Sequence, residues 1–313
     1  MLLRLAPEFV RAIMDECDIT SILSLRRTSA ALHHHATAIF MVDRRKLLLR
    51  YTNNPDRLWG HLDETRAVVG GFAALRFMLR IPHVHSDPLD IYVSRMEGAR
   101  LVQILEEDET LDYDVQAVRD HKDDAVILDR GVARTTTFAS PSGGVINVHT
   151  SLSISSVDPI AMTGISALIN WVSPFAFACG YPMLTLRRLS LGGAPQQADV
   201  RVYTLYHQLY LMGFQIASEP SAWPEYAAFV TTQPIYFHHT CLRHHYVCPG
   251  QGRFFGDVGS MVTVFDLIHT DHQELKRNHR HPVSLTLGEQ PPSVDVSWSA
   301  HVLASVGVGP DAN

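Results

Sequence analysis

The stretch 68–93, VVGGFAALRFMLRIPHVHSDPLDIYV, constrains the fold of this chain more than any other, because glycine, apolar periodicity and acidic residues fall there in one order. It reads as strand, glycine turn, helix, loop, strand. Gly70 and Gly71 allow a sharp turn and a close approach of the backbone to a ligand. Ala73, Ala74, Phe77 and Met78 recur at helical spacing, and after a His-Pro-rich loop the segment 89–93 alternates as a strand with Asp87 and Asp90 at its entrance. The plain reading is that the glycines serve a tight turn and Asp90 caps or solvates a strand end.

Around that stretch the 313 residues are 46% apolar and 19% charged, which gives a globular chain able to bury one large core or two smaller ones. A formal charge of −6 argues against broad nucleic-acid binding, which needs clustered Lys and Arg. Four scattered cysteines frame no disulfide scaffold, Glu8 interrupts any secretory leader, and the expectation is an intracellular protein, cytoplasmic or nuclear. The most apolar window, 160–181, is broken by Asn170, Pro174 and Gly180, well short of the ~20 residues that span a bilayer.

Residues 5–32 carry two helical patterns. Phe9, Ile13 and Cys17 recur every four positions, and Ile22, Leu25, Ser29 and Leu32 follow a cap at Thr20. The segment LAPEFVRAIMDECDITSILSLRRTSAAL resembles an F-box, with Leu5, Glu8, Ile13, Ile22, Leu23, Leu25, Arg26, Ser29 and Leu32 at matching positions; the usual proline is displaced to Pro7. The plain alternative is an amphipathic helical hairpin packed on the rest of the protein. Further along, 37–62 reads as helical and basic up to the turn Asn53, Asn54, Pro55, 97–107 as an amphipathic helix, and 108–129 as a polar surface excursion. GVARTTTFA and GGVINVHTS form a hairpin, helices follow at 159–171 and 200–213, and the tail is expected to be partly mobile.

Taken together, the F-box-like start, VVGGFAALRFML, PLDIYV, TTTF with VINVHTS, and SALINWVSPFAFACGYPMLTLRRLSL resemble fungal F-box-like proteins carrying a divergent nucleotidyltransferase-like domain, with a weaker echo at CPGQGRFFGD. The resemblance implies an α+β fold: an F-box-like helical unit over 1–50, a connector over 51–66, a nucleotidyltransferase-like mixed-sheet domain over 67–281 with additional C-terminal helices, and a tail over 282–313. It also implies that Leu5, Pro7, Ile13, Leu23 and Leu25 meet a Skp-type adaptor of a ubiquitin ligase. Gly70 and Gly71 become nucleotide candidates, and Asp87 and Asp90 catalytic candidates. Active members space two acidic residues as Asp-x-Asp on one strand, so that both side chains share the metals. Here the matching first position is Pro88, Asp87 is displaced by one, and only Asn147 and His149 stand where a third carboxylate is expected. Asp90 remains as a metal candidate, with magnesium the cofactor if the site works.

Other constellations are weaker. Cys241, His244 and Cys248 lie in HHTCLRHHYVCP and are zinc candidates by ligand type, although six residues between the cysteines do not match the usual knuckle. No Gly-x-Ser-x-Gly elbow, P-loop or dinucleotide fingerprint occurs, and Trp171, Phe175, Phe177 and Tyr181 are spaced as core, like a packed helix and its exit. The reading is a non-catalytic interaction protein, with the larger domain presenting a surface to an unidentified protein target or ligand. The alternatives are a metal-dependent nucleotidyltransferase and a nucleotide-binding module without turnover.

Overall fold

Side chains at three helix starts take up amide protons that the helix itself leaves unpaired. Asp18 accepts from Ser21 N–H at 2.7 Å, Ser29 from Leu32 N–H at 3.2 Å and Asn54 from Arg57 N–H at 3.3 Å. They open α2 (Ile19–Arg26), α3 (Ala30–Leu48) and α4 (Pro55–Glu64); α1 (Pro7–Asp15) starts on a proline, whose missing N–H is no loss there. The α2 cap is thus Asp18 and not Thr20, and 5–32 reaches into a third helix. The computed structural model describes residues 6–82, 87–121, 129–192, 200–231, 245–247 and 253–265. Leu5, Cys241, His244, Cys248 and the tail lie outside the described residues.

Strand β1 (Val68–Val69) leads through Gly70 into α5 (Gly71–Leu79), then β2 (Leu89–Val93) and α6 (Gly98–Glu107). Next come β3 (Asp114–Asp120), β4 (Val132–Ala139), β5 (Val145–Ser151), α7 (Asp158–Ala161), β6 (Asn170–Val172), β7 (Ala176–Cys179) and α8 (Pro182–Thr185). The described chain closes with β8 (Leu189–Leu191), α9 (Val200–Leu211), β9 (Gln215–Ala217), α10 (Pro224–Thr231) and β10 (Met261–Val264). Eight strands form one mixed sheet in the order β10-β7-β6-β1-β2-β5-β4-β3, while β8 and β9 pair in parallel apart from it. Within the large sheet β2 and β5 run parallel, with Asp90 beside Asn147 and Tyr92 beside His149; the other pairings are antiparallel. The architecture is mixed α and β, as an α+β reading expects.

Two corrections concern the middle of the chain. Residues 108–129 contain β3, an edge strand exposed at every position, so no burial pattern marked it. Residues 159–171 are not one helix: α7 is a single turn, a 3-10 turn spans Ser166–Leu168, and Trp171 already belongs to β6. The aromatics expected on a helix sit on a hairpin instead, with Trp171, Phe177 and Tyr181 buried and Phe175 exposed at the turn.

Except at the exposed edge strand β3, side chains cover the sheet on both faces. Leu89, Ile91, Val93, Phe138, Ile146 and Val148 point to one side and are fully buried. They share a continuous core with Val10, Met14, Ile22 and Phe40 of α1 to α3, with Leu58 and Leu62 of α4, and with Ala73 and Phe77 of α5. Val68, Trp171, Ala176 and Ala178 point to the other side and pack with Ile160, Tyr181 and Leu184. Further along that second face, toward β4, apolar cover gives way to polar side chains.

Candidate functional site

The alternation of β2 puts Asp90 and Tyr92 on one face, and the register with β5 and β4 sets Asn147, His149, Thr135 and Thr137 beside them. Asp90 Oδ1 accepts from Asn147 Nδ2 at 3.0 Å and from His149 Nε2 at 3.2 Å. Asn147 Oδ1 in turn accepts from Thr137 Oγ1 at 3.1 Å, which fixes the amide orientation. Tyr92 stacks on the His149 ring, with 4.7 Å between centroids and 28° between planes. Burial drives the Tyr92 phenol well above its ordinary pKa, with Asp90 and Asp129 adding to the effect, so it stays neutral. The Asp90 and His149 side chains retain 17% and 13% exposure, enough to meet solvent.

The glycine turn closes against this cluster. Gly70 N–H donates to the Asp90 carbonyl at 2.9 Å, and a Cβ at Gly70 would stand 2.6 Å from the Tyr92 ring. Gly71 has φ +59°, and a Cβ there would collide with the Asp90 carboxylate. Both glycines are therefore required by side chains of the neighbouring strand, which occupy the space next to the turn.

Asp87 is engaged elsewhere. It is 3% exposed, and its Oδ2 pairs with Arg76 Nε of α5 at 2.6 Å. Arg76 also donates to the Pro82 carbonyl at 2.9 Å, and the Asp87 carbonyl accepts from the Tyr51 hydroxyl at 2.8 Å. Burial pushes that phenol up to about 12. Asp87 thus fastens the ends of the α5–β2 loop.

A magnesium centre takes oxygen ligands. Around Asp90 the neighbours are an amide nitrogen and an imidazole, both with N–H groups turned to the carboxylate, and that donor set does not fit the ion. Among the described residues no group of three or more His, Cys, Asp and Glu side chains could hold a metal. Tyr92, Thr135 and Thr137 were missed in the sequence. Period-two reading of RTTTFA places both threonines on one face, but only the strand register brings that face to Asp90.

Of the adaptor candidates, Pro7 and Ile13 lie exposed on α1 together with Phe9, which is 65% exposed. Leu23 and Leu25 are half-buried and pack against the main core. Arg80, in the left-handed conformation after α5, clamps the end of α1 by donating to the carbonyls of Met14, Asp15 and Cys17. No helix among the described residues is long and apolar enough to cross a membrane. No protein-family model matches the chain, and no curated protein matches it.

Proposed function

We propose that this chain is a non-catalytic interaction protein: α1 and its neighbours act as an F-box-like docking element for a Skp-type adaptor of a ubiquitin ligase, and the nucleotidyltransferase-like sheet domain receives a target or ligand. One observation carries the reading. Helix α1 buries Val10 and Met14 inward while turning Phe9 and Ile13, one turn apart, to solvent, an exposed apolar pair on a helix whose inner face meets the core. An exposed apolar pair of this kind fits a groove on another protein.

Metal-dependent nucleotidyl transfer is the weaker alternative, since a two-metal mechanism needs carboxylates to clamp the attacking and leaving oxygens. Asn147, His149 and Tyr92 surround Asp90 instead. A nucleotide-binding module without turnover is also less supported, because Asp90 and Tyr92 crowd the glycine turn that would cradle phosphate.

The test is capture of a purified Skp-type adaptor by the full chain. Binding is expected for the wild type and a loss of at least about tenfold for Phe9→Asp with Ile13→Asp, since removing central apolar anchors costs 1.4 kcal/mol or more. Both positions are exposed, so the variant keeps its core. Absence of binding by the wild type, or equal binding by the variant, would overturn the proposal.

A further inference from the structure

The Asp90–His149 contact is one end of a longer hydrogen-bonded chain. Thr135 Oγ1 lies 3.0 Å from His149 Nδ1 and 2.9 Å from His121 Nε2. His121, just past β3, turns Nδ1 toward Asp129 Oδ2 at 3.6 Å, and that same oxygen accepts from Arg201 of α9 at 2.8 Å. The order is Asp90, His149, Thr135, His121, Asp129, with four contacts between successive members.

The protons do not suffice for the contacts. A carboxylate only accepts, a neutral imidazole carries one N–H, and a hydroxyl carries one O–H. Two neutral histidines and one threonine bring three protons to four contacts, so one contact must set acceptor against acceptor. Three of the four span 2.9 to 3.2 Å, ordinary hydrogen-bond lengths. The fourth, His121 to Asp129, is 3.6 Å and lies beyond that range. On these lengths the deficient contact is His121 to Asp129, and one tautomer of each ring fits the other three. His149 Nε2–H donates to Asp90, Thr135 O–H to His149 Nδ1, and His121 Nε2–H to Thr135, which leaves His121 Nδ1 bare before Asp129.

We propose that His121, Thr135 and His149 form one proton-binding site, which takes up a single proton from solvent to close the His121–Asp129 contact and tie the β3–β4 end of the sheet to the start of α9. Two arrangements of the added proton exist. It resides on His121 directly, or on His149 with the Thr135 hydroxyl reversed toward His121 Nε2. In both, His121 Nδ1 carries an N–H aimed at Asp129, and a charge-assisted bond of the shorter kind replaces the 3.6 Å gap. Burial, His149, Arg119 and Arg201 oppose protonation of His121, and Asp129 favours it; burial prevails and holds the group below its ordinary value. Uptake thus belongs to mildly acidic conditions. The proton count and the contact lengths carry the inference, which is independent of adaptor binding.

Histidine-selective nitrogen NMR on the full chain, from pH 8 downward, tests it. At pH 8 both rings should be neutral Nε2–H tautomers, and on acidification a single uptake should move the nitrogen signals of both rings together. Thr135→Val cuts the chain into two pairs with one proton each, so His121 should switch to the Nδ1–H tautomer and the rings should titrate separately. Asp129→Asn offers an N–H to the bare Nδ1, and the His121 midpoint should fall by about one pH unit or more. An Nδ1–H tautomer of His121 in the wild type at pH 8, independent titration of the two rings, or an unchanged tautomer in Thr135→Val would overturn the proposal; the first two need no variant to fold.

Discussion

Gly71 combines a left-handed φ with the Asp90 carboxylate where its Cβ would be. An alanine there incurs two separate costs, about 1–2 kcal/mol for the backbone conformation and a further amount for displacing Asp90 from Asn147 and His149. Gly71→Ala should therefore lose more than about 2 kcal/mol by urea unfolding in the wild type, and less when Asp90 is already alanine, whose remaining Cβ still stands 3.3 Å from the added methyl. Strictly additive losses would show that the glycine is independent of Asp90. The glycine pair and Asp90 were legible in the sequence because they are local signals. Asn147 and His149 were legible at the matching strand position, but the groups behind them were not: Thr135, His121, Asp129 and Arg201 connect to Asp90 through strand register and tertiary contact, which no spacing along the chain encodes. Asp87 was legible as an acid but not as the mate of Arg76, eleven residues earlier on the buried side of α5.

Elements with a repeating burial pattern, such as α6, β4 and β5, were readable because one face of each meets the core. Strand β3 was not, since both of its faces are exposed, and β6 is three buried residues without alternation. Between elements, polar contacts do what periodicity cannot reveal. Asp108, at the end of α6, accepts from Arg57 Nε at 2.7 Å and His61 Nε2 at 2.5 Å of α4, and from Thr110 Oγ1 at 2.6 Å. Burial opposes its ionisation, but the hydrogen bonds from Thr110, His61 and Arg57 outweigh it and hold the carboxyl well below the usual range. A depressed folded pKa means the unfolded chain binds the proton more readily. Stability from Asp108 is therefore full above the unfolded value of about 4 and is lost as the pH falls through the folded one. Asp108→Asn should cost about 1–3 kcal/mol at pH 7, and its deficit relative to wild type should shrink below pH 4. A deficit that stays constant with pH would assign the loss to packing.

At the scale of the molecule, the N-terminal helices do not stand apart from the sheet. The Phe177 ring of β7 lies 5.2 Å from Phe40 of α3, 5.3 Å from Phe77 of α5 and 5.5 Å from Phe265. Arg26 of α2 donates to the carbonyls of Val264 and Phe265, and Thr37 of α3 also donates to Phe265. Arg44 of α3 reaches the Pro174 carbonyl at the β6–β7 turn. A core shared in this way couples the N-terminal helices to the sheet, so that any partner held by α1 under the proposed reading would be fixed relative to the sheet. The fluorescence of Trp59 in α4 and Trp171 in β6, each followed in a variant in which the other three tryptophans are replaced by phenylalanine, reports the two regions separately. Phe177→Ala removes the ring on which both regions converge and should cost about 3–5 kcal/mol. Because the core is continuous, both reporters should shift to lower denaturant together, with coincident transitions before and after the substitution. If Trp59 kept its midpoint while Trp171 moved, the helices would be a separate folding unit, and the rigid coupling between helices and sheet would have to be abandoned.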